Sequence, residues 1–200
     1  MAGPAIFYYD YNSPYAYLAA ERIDGLIPGA EWRPFAYGIL LGQLGRLDAA
    51  LERLDRAAIV VEIDGRVAER DLPPFAPPED WPVGTWSLVP LRAALVAEEE
   101  GRLREFSAAV FRKSFVESRS LAEIDHVLEA AAEAGLDPDE VREGIGRPEI
   151  KERLKSNTEE ARERGVTGIP TVAVGDELFW GDDRLDEASA AASRLDQRPL

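Results

Sequence analysis

Ile6-Phe7-Tyr8-Tyr9-Asp10-Tyr11-Asn12-Ser13-Pro14-Tyr15-Ala16-Tyr17-Leu18 is the stretch on which the fold turns. Ile6 to Tyr9 is a short β-favouring run, and Asp10 to Pro14 closes it with turn-forming residues. Ser13-Pro14 is a helix-start signal: a hydroxyl at the N-cap, then a proline at the first helical position, where its missing N–H has no partner to lose. Tyr15, Leu18, Ala19, Arg22, Ile23 and Leu26 recur at helical spacing until Pro28-Gly29. A strand from Ala30 to about Phe35 follows, and Pro34 confines it to a sheet edge or a strand end. The first 36 residues therefore read β-α-β.

Downstream the pattern is helical. Ile39–Leu54 and Val60–Glu69 are predicted helices, whereas Leu72–Trp86 carries five prolines and two tryptophans and is predicted as a loop. Apolar spacing then marks helices beginning at Leu88, Leu103 and Leu121, punctuated by Gly101 and Gly135. Two more open at Asp137-Pro138 and at Pro148, the last ending at Gly165. Thr171–Val174 and Glu177–Trp180 flank Gly175-Asp176 as a hairpin, and Gly181-Asp182 leads into a helix carrying Leu185, Ala188, Ala192 and Leu195. The order β-α-β, helices, β-β-α predicts an α/β thioredoxin-like fold with an inserted all-helical domain. Residues 1–40 and 160–200 form the thioredoxin-like part, and 41–159 the insertion.

Composition narrows the function. The 200 residues hold 23 Lys plus Arg against 38 Asp plus Glu, a formal net charge of −15. Such a surface repels phosphate backbones and anionic headgroups, so nucleic acid and membrane surfaces are not expected partners. With no cysteine, the chain has no disulfide, thiol nucleophile or thiolate metal site of its own. No metal site is expected. The single His126 falls among acidic residues on a polar helix face and reads as a surface histidine. Glu98-Glu99-Glu100 reads as a solvated helix end. The apolar run Ala5–Tyr9 is too short for a leader and follows no basic residue, so a cytoplasmic protein is expected.

Two segments combine special backbone geometry with polar groups. At Asn12-Ser13-Pro14-Tyr15 a strand feeds a helix whose N-terminus carries about half a positive charge, which favours an anion such as a thiolate. Ser13 there either only caps the helix or donates a hydrogen bond as well. At Gly165-Val166-Thr167-Gly168-Ile169-Pro170-Thr171, a cis Ile169–Pro170 bond would expose the Ile169 N–H and C=O to a peptide-like ligand. Asp10 reads as a base or a buried carboxylate. Trp81 and Trp86 either line a substrate mouth or pack their loop against the helices.

These segments, with Leu178-Phe179-Trp180-Gly181-Asp182-Asp183-Arg184, resemble the DsbA-like branch of the thioredoxin superfamily. Within it they are most similar to 2-hydroxychromene-2-carboxylate isomerases and kappa-class glutathione transferases. The resemblance implies that Ser13 stands where dithiol oxidoreductases keep their nucleophilic cysteine and matches the serine that stabilises a bound glutathione thiolate. It implies that Ile169 and Pro170 match the cis-proline segment that pairs with the cysteinyl part of the tripeptide. Asp182, Asp183 and Arg184 match the segment that holds its γ-glutamyl end, where opposed charges suit an α-amino group and an α-carboxylate. The implied cofactor is glutathione or another low-molecular-weight thiol, and the implied reaction an isomerisation or transfer on a hydrophobic, aromatic small molecule. A homodimer is a further expectation. Family members carry a lysine in the segment entering the helical block; here no lysine precedes Lys113, and Arg46, Arg53 and Arg56 are the nearby cations. The rival reading is a thioredoxin-like binding protein without chemistry. A protein dithiol oxidoreductase is excluded, because there is no cysteine to cycle.

Overall fold

The computed structural model describes residues 4–84 and 86–196. Its four-stranded sheet has the order β2-β1-β3-β4, with β1 Ile6–Tyr9, β2 Glu31–Pro34, β3 Thr171–Val174 and β4 Glu177–Trp180. β1 pairs in parallel with β2 (Ile6 opposite Glu31) and antiparallel with β3 (Tyr8 opposite Thr171). β3 and β4 form the predicted hairpin. Pro34 is the last residue of an edge strand, where its missing N–H breaks no ladder.

All four residues of β1 are buried because both faces of the sheet are covered. Phe7 and Tyr9 point into a large core shared with α1 (Pro14–Leu26), α5 (Leu88–Glu99), α6 (Leu103–Phe115), α7 (Ile124–Glu133), α8 (Pro138–Gly144) and α10 (Leu185–Asp196). Ile6 and Tyr8 point the other way, into a smaller core with Phe35, Leu40, Ala161 and Val166. Those last residues belong to or flank α2 (Tyr37–Gln43) and α9 (Pro148–Glu163). The helical block is continuous with the large core: Phe111 of α6 sits 5.1 Å from the ring of Tyr11 and 6.0 Å from that of Tyr9. The divisions expected near residues 40 and 160 fall inside α2 and α9, and residues 1–3, 85 and 197–200 lie outside the described residues.

The structure corrects two helices. Ile39–Leu54 is not continuous; it is α2 followed by α3 (Leu47–Glu52). Gly45 separates them at φ +64°, a left-handed value that terminates a helix and that glycine adopts without a Cβ penalty. α4 runs Arg56–Glu69, starting earlier than expected because the Asp55 carboxylate caps it, accepting from the Ala58 N–H at 3.0 Å. The acidic end of α5 is tied down rather than merely solvated: Arg153 bridges Glu98 and Glu99, and Arg147 also reaches Glu99. His126 is half-buried, with Nδ1 2.8 Å from the Ser120 carbonyl. Among the described residues no helix is long and apolar enough to cross a membrane.

Candidate functional site

β1 delivers Ser13 directly to the start of α1. Pro14 occupies the first helical position, and Ser13 Oγ accepts from the Ala16 N–H at 3.2 Å, so the hydroxyl does cap the helix. Capping uses a lone pair and leaves the hydroxyl proton available; among the described residues no acceptor takes it. Ser13 already takes the Ala16 and Tyr17 N–H groups and Pro14 has none, so among the described residues the Tyr15 N–H is the first-turn donor that remains beside the hydroxyl at the positive end of the helix dipole.

The end of β3 lies beside this spot. Tyr8 pairs with Thr171, and one further step of the antiparallel register sets Pro170 opposite Tyr9, four residues before Ser13. The Ile169–Pro170 bond is cis, as the peptide-recognition reading requires. Pro170 is buried, Ile169 half-buried, and neither backbone group of Ile169 meets a protein partner among the described residues. The exposed Trp180 indole lies over Gly168, in the space that a Cβ there would take, so a larger residue would have to displace it.

β4 brings the third motif to the same end of the sheet. The Gly181 N–H donates to the Pro170 carbonyl at 2.9 Å, joining the turn Asp182–Arg184 to the cis-proline. Gly181 holds φ +116°, a backbone region that side chains with a Cβ rarely enter. Asp182 is 1% exposed, and its carboxylate accepts from two guanidiniums, Arg66 of α4 and Arg70 just after it, the latter at 2.6 Å. Asp183 is exposed. Arg184 turns outward, pairing with Glu187 at 2.7 Å and covering the Phe179 ring. Gly181 joins the cis-proline to the Asp182 turn, and Arg22 of α1 reaches the Asp182 carbonyl, but the Asp182 carboxylate is already neutralised.

Asp10 secures the surrounding segments. It is 2% exposed, and its carboxylate accepts from the N–H of Asn12 at 3.1 Å and of Tyr37 at 3.0 Å. Burial raises its pKa, against opposing hydrogen bonds from Ser87, Asn12 and Tyr37. One buried carboxylate therefore ties the α1 approach, the start of α2 and the approach to α5. With its oxygens turned to these donors, Asp10 reads as a structural carboxylate.

The proline-rich loop is stapled to the same place. Trp81 is buried, donates Nε1–H to the Asn12 carbonyl at 2.9 Å and packs edge-on to Phe75 and Phe115. The Asn12 amide donates to the Pro82 carbonyl at 3.0 Å, and Arg56 donates to the carbonyls of Trp81 and Pro78. Trp81 is thus a packing residue. Trp86, 71% exposed, is the one turned to solvent, as are Val83 and Trp180.

Sequence reasoning missed Arg66 and Arg70. Glu62, Arg66 and Arg70 follow one another at four-residue intervals and share a helix face, a legible spacing whose partner across the chain was not. Arg66 bonds Glu62, which accepts from the Tyr15 hydroxyl at 2.8 Å, and the Arg66 guanidinium lies 5.5 Å from the Tyr15 ring centre. Burial and the neighbouring Glu62 raise the Tyr15 pKa to about 12, so the phenol remains a donor. Of the cations expected near the helical block, Arg56 holds the loop through the Trp81 and Pro78 carbonyls.

Residues 5–192 match the family model described as a DSBA-like thioredoxin domain. A 2-hydroxychromene-2-carboxylate isomerase of Sphingobium xenophagum is 26% identical over 187 residues, covering 90% of this chain and 93% of that protein. Its namesake from Pseudomonas putida is 29% identical over 209 residues, covering 94% of each. A solved structure of a 2-hydroxychromene-2-carboxylate isomerase aligns with a TM-score of 0.81 at 21% identity, over 98% of this chain and 97% of that one.

Proposed function

Because the chain belongs to the DSBA-like thioredoxin domain family, we propose that it is a thiol-dependent isomerase or transferase acting on a hydrophobic, aromatic small molecule. The reaction closest to this reading is the one its relatives are named for, 2-hydroxychromene-2-carboxylate isomerisation. What supports the proposal is a capped helix start with a hydroxyl proton to donate, and an Ile169 peptide without a partner among the described residues, in a chain without cysteine. A dithiol enzyme would put its own sulfur at Ser13; here the sulfur has to come with the ligand.

The residues fit such a ligand. The Ser13 hydroxyl, the Tyr15 N–H and the α1 dipole favour a thiolate over a thiol, and the Ile169 N–H and C=O offer a short strand-like pairing to a peptide backbone. When bound, the thiol supplies the nucleophile for reversible addition to an electrophilic carbon, so no oxidant or reductant is consumed. What the chain contributes is orientation and electrostatic stabilisation of the negative sulfur. Trp180 on β4 and Val83 and Trp86 of the proline-rich loop are exposed apolar side chains, and we assign the flat, apolar substrate to this surface. We infer a cytoplasmic protein binding small molecules, with a homodimer as its assembly.

Ser13→Ala tests the reading. The variant should fold with a capping loss of about 1 kcal/mol and raise the pKa of bound glutathione by roughly one unit, since one hydrogen bond to a charged group is lost. Ultraviolet thiolate absorbance of the complex against pH measures this. An unchanged titration makes Ser13 a cap alone, and absence of bound thiol in the parent protein favours the non-catalytic binding module.

A further inference from the structure

Tyr37, the first residue of α2, is tied to both segments that the thiol reading assigns to the ligand. Its backbone N–H donates to Asp10 Oδ2 at 3.0 Å, and Asp10 Oδ1 accepts from the N–H of Asn12, next to Ser13. Its phenol donates to the Thr167 carbonyl at 3.2 Å, two residues before Ile169. Burial pushes the phenol above its ordinary pKa, with the Arg46 charge opposing, so the hydroxyl keeps the proton it donates. The ring is half-buried, meets Phe35 edge-on at 6.1 Å and, like Ile169, packs on the smaller core. The carbonyls on either side of Ile169 are held in place. Thr171 Oγ1 donates to the Gly168 carbonyl at 2.8 Å, and the Gly181 N–H to the Pro170 carbonyl at 2.9 Å. Beyond Pro170 the antiparallel register fixes the chain, with Thr171 opposite Tyr8. Ahead of Gly168, the tie at Thr167 leads back through Tyr37 and Asp10 to Asn12.

We propose that Tyr37 is a positioning residue for a peptide-bearing thiol: its phenol holds the approach to Ile169 in register with the Ser13 segment, so that one ligand can place its sulfur at Ser13 and its backbone on Ile169. The inference rests on the thiol reading above. Tyr37 acts through the Thr167 carbonyl and need not touch the ligand. Its contribution is therefore to the pairing of a peptide backbone and not to the charge state of the sulfur, which belongs to the Ser13 hydroxyl and the start of α1.

Tyr37→Phe keeps the ring and the N–H that Asp10 accepts, and removes the hydroxyl alone. The test follows the ultraviolet thiolate absorbance of parent and variant with glutathione and with 2-mercaptoethanol, which has no backbone to pair, alongside thermal unfolding. Glutathione should bind the variant roughly threefold to tenfold more weakly, the weight of one neutral hydrogen bond. The affinity for 2-mercaptoethanol and the pKa of bound glutathione should stay as in the parent. Unchanged glutathione affinity overturns the inference. Equal weakening of both thiols with a lowered melting temperature overturns it too, making Tyr37 a residue of the fold, and a shifted thiolate pKa does so by placing its effect at Ser13. Each of these leaves a thiol-binding protein. Binding of neither thiol by the parent overturns the inference together with the reading beneath it.

Discussion

Asp10→Ala is expected to destabilise the folded state by about 3 kcal/mol and to abolish thiol binding. The substitution leaves the N–H groups of Asn12 and Tyr37 facing a small apolar void, at about 1–3 kcal/mol for each buried donor left unmet. Relief from holding a charge in the interior offsets part of that loss, so the sum stays near the lower end. Binding fails for a separate reason: Asn12 also takes the Trp81 indole and holds Pro82, so release of Asn12 loosens the loop as well as the helix start. Urea unfolding and calorimetry together decide it; a loss below about 1 kcal/mol would show that the three segments hold one another without the carboxylate.

The pH dependence of this group has a definite sign. Burial raises the folded pKa of Asp10 above its ordinary 3.8, so the native state takes up a proton before the unfolded chain does. The associated stability is fully present below the unfolded value and is lost as pH rises through the folded one. The margin of the parent protein over Asp10→Asn should therefore widen on acidification through that interval. A margin that narrows would mean that the backbone hydrogen bonds outweigh burial.

Asp182→Ala should also be severe, at about 3 kcal/mol. Removing one side of a buried ion pair strands its partner, typically at a loss of ~3–5 kcal/mol, and here Arg70 is stranded while Arg66 keeps its pair with Glu62. Both reach solvent in part, which places the expectation at the low end. The damage should be local: α4 would lose its attachment to the turn after β4, while the sheet and large core stay intact. Hydrogen exchange should show faster opening in Arg56–Glu69 than in Thr171–Val174. A uniform change across the chain would instead make Asp182 part of the global folding unit.

What the sequence made legible was local chemistry. Ser13-Pro14 announces a helix, Gly175-Asp176 a hairpin and Pro34 an edge, because each acts within a few residues of itself. The motifs at Ser13, Pro170 and Asp182 could be named, and the sheet register explains why they meet. What stayed hidden was pairing across the chain. Trp81 bonds Asn12 across 69 residues, and Arg66 reaches Asp182 across 116. Nothing in the neighbourhood of either residue encodes that choice. The same holds for Ser107, which contacts the hydroxyls of both Tyr9 and Tyr11 inside the core, at 2.9 and 2.8 Å. The α2–α3 break was within reach, since Gly45 stands in the sequence, but glycine alone does not say whether a helix bends, continues or stops.

The position of β1 between β2 and β3 governs the order of events during synthesis. β2 reaches the growing chain almost at once, but the residues that flank β1 on its other side come about 160 residues later. At ~5–20 residues per second that is a wait of roughly 10–30 s. Over this interval β1 has one open side, and the aromatic residues Phe7 and Tyr9 have Trp32 of β2 and the helices to lean on. The nascent chain is therefore vulnerable to strand-to-strand association until its last strands leave the ribosome. Limited proteolysis of stalled nascent chains should find Ile6–Leu26 cleavable until Trp180 has emerged, and protected soon after.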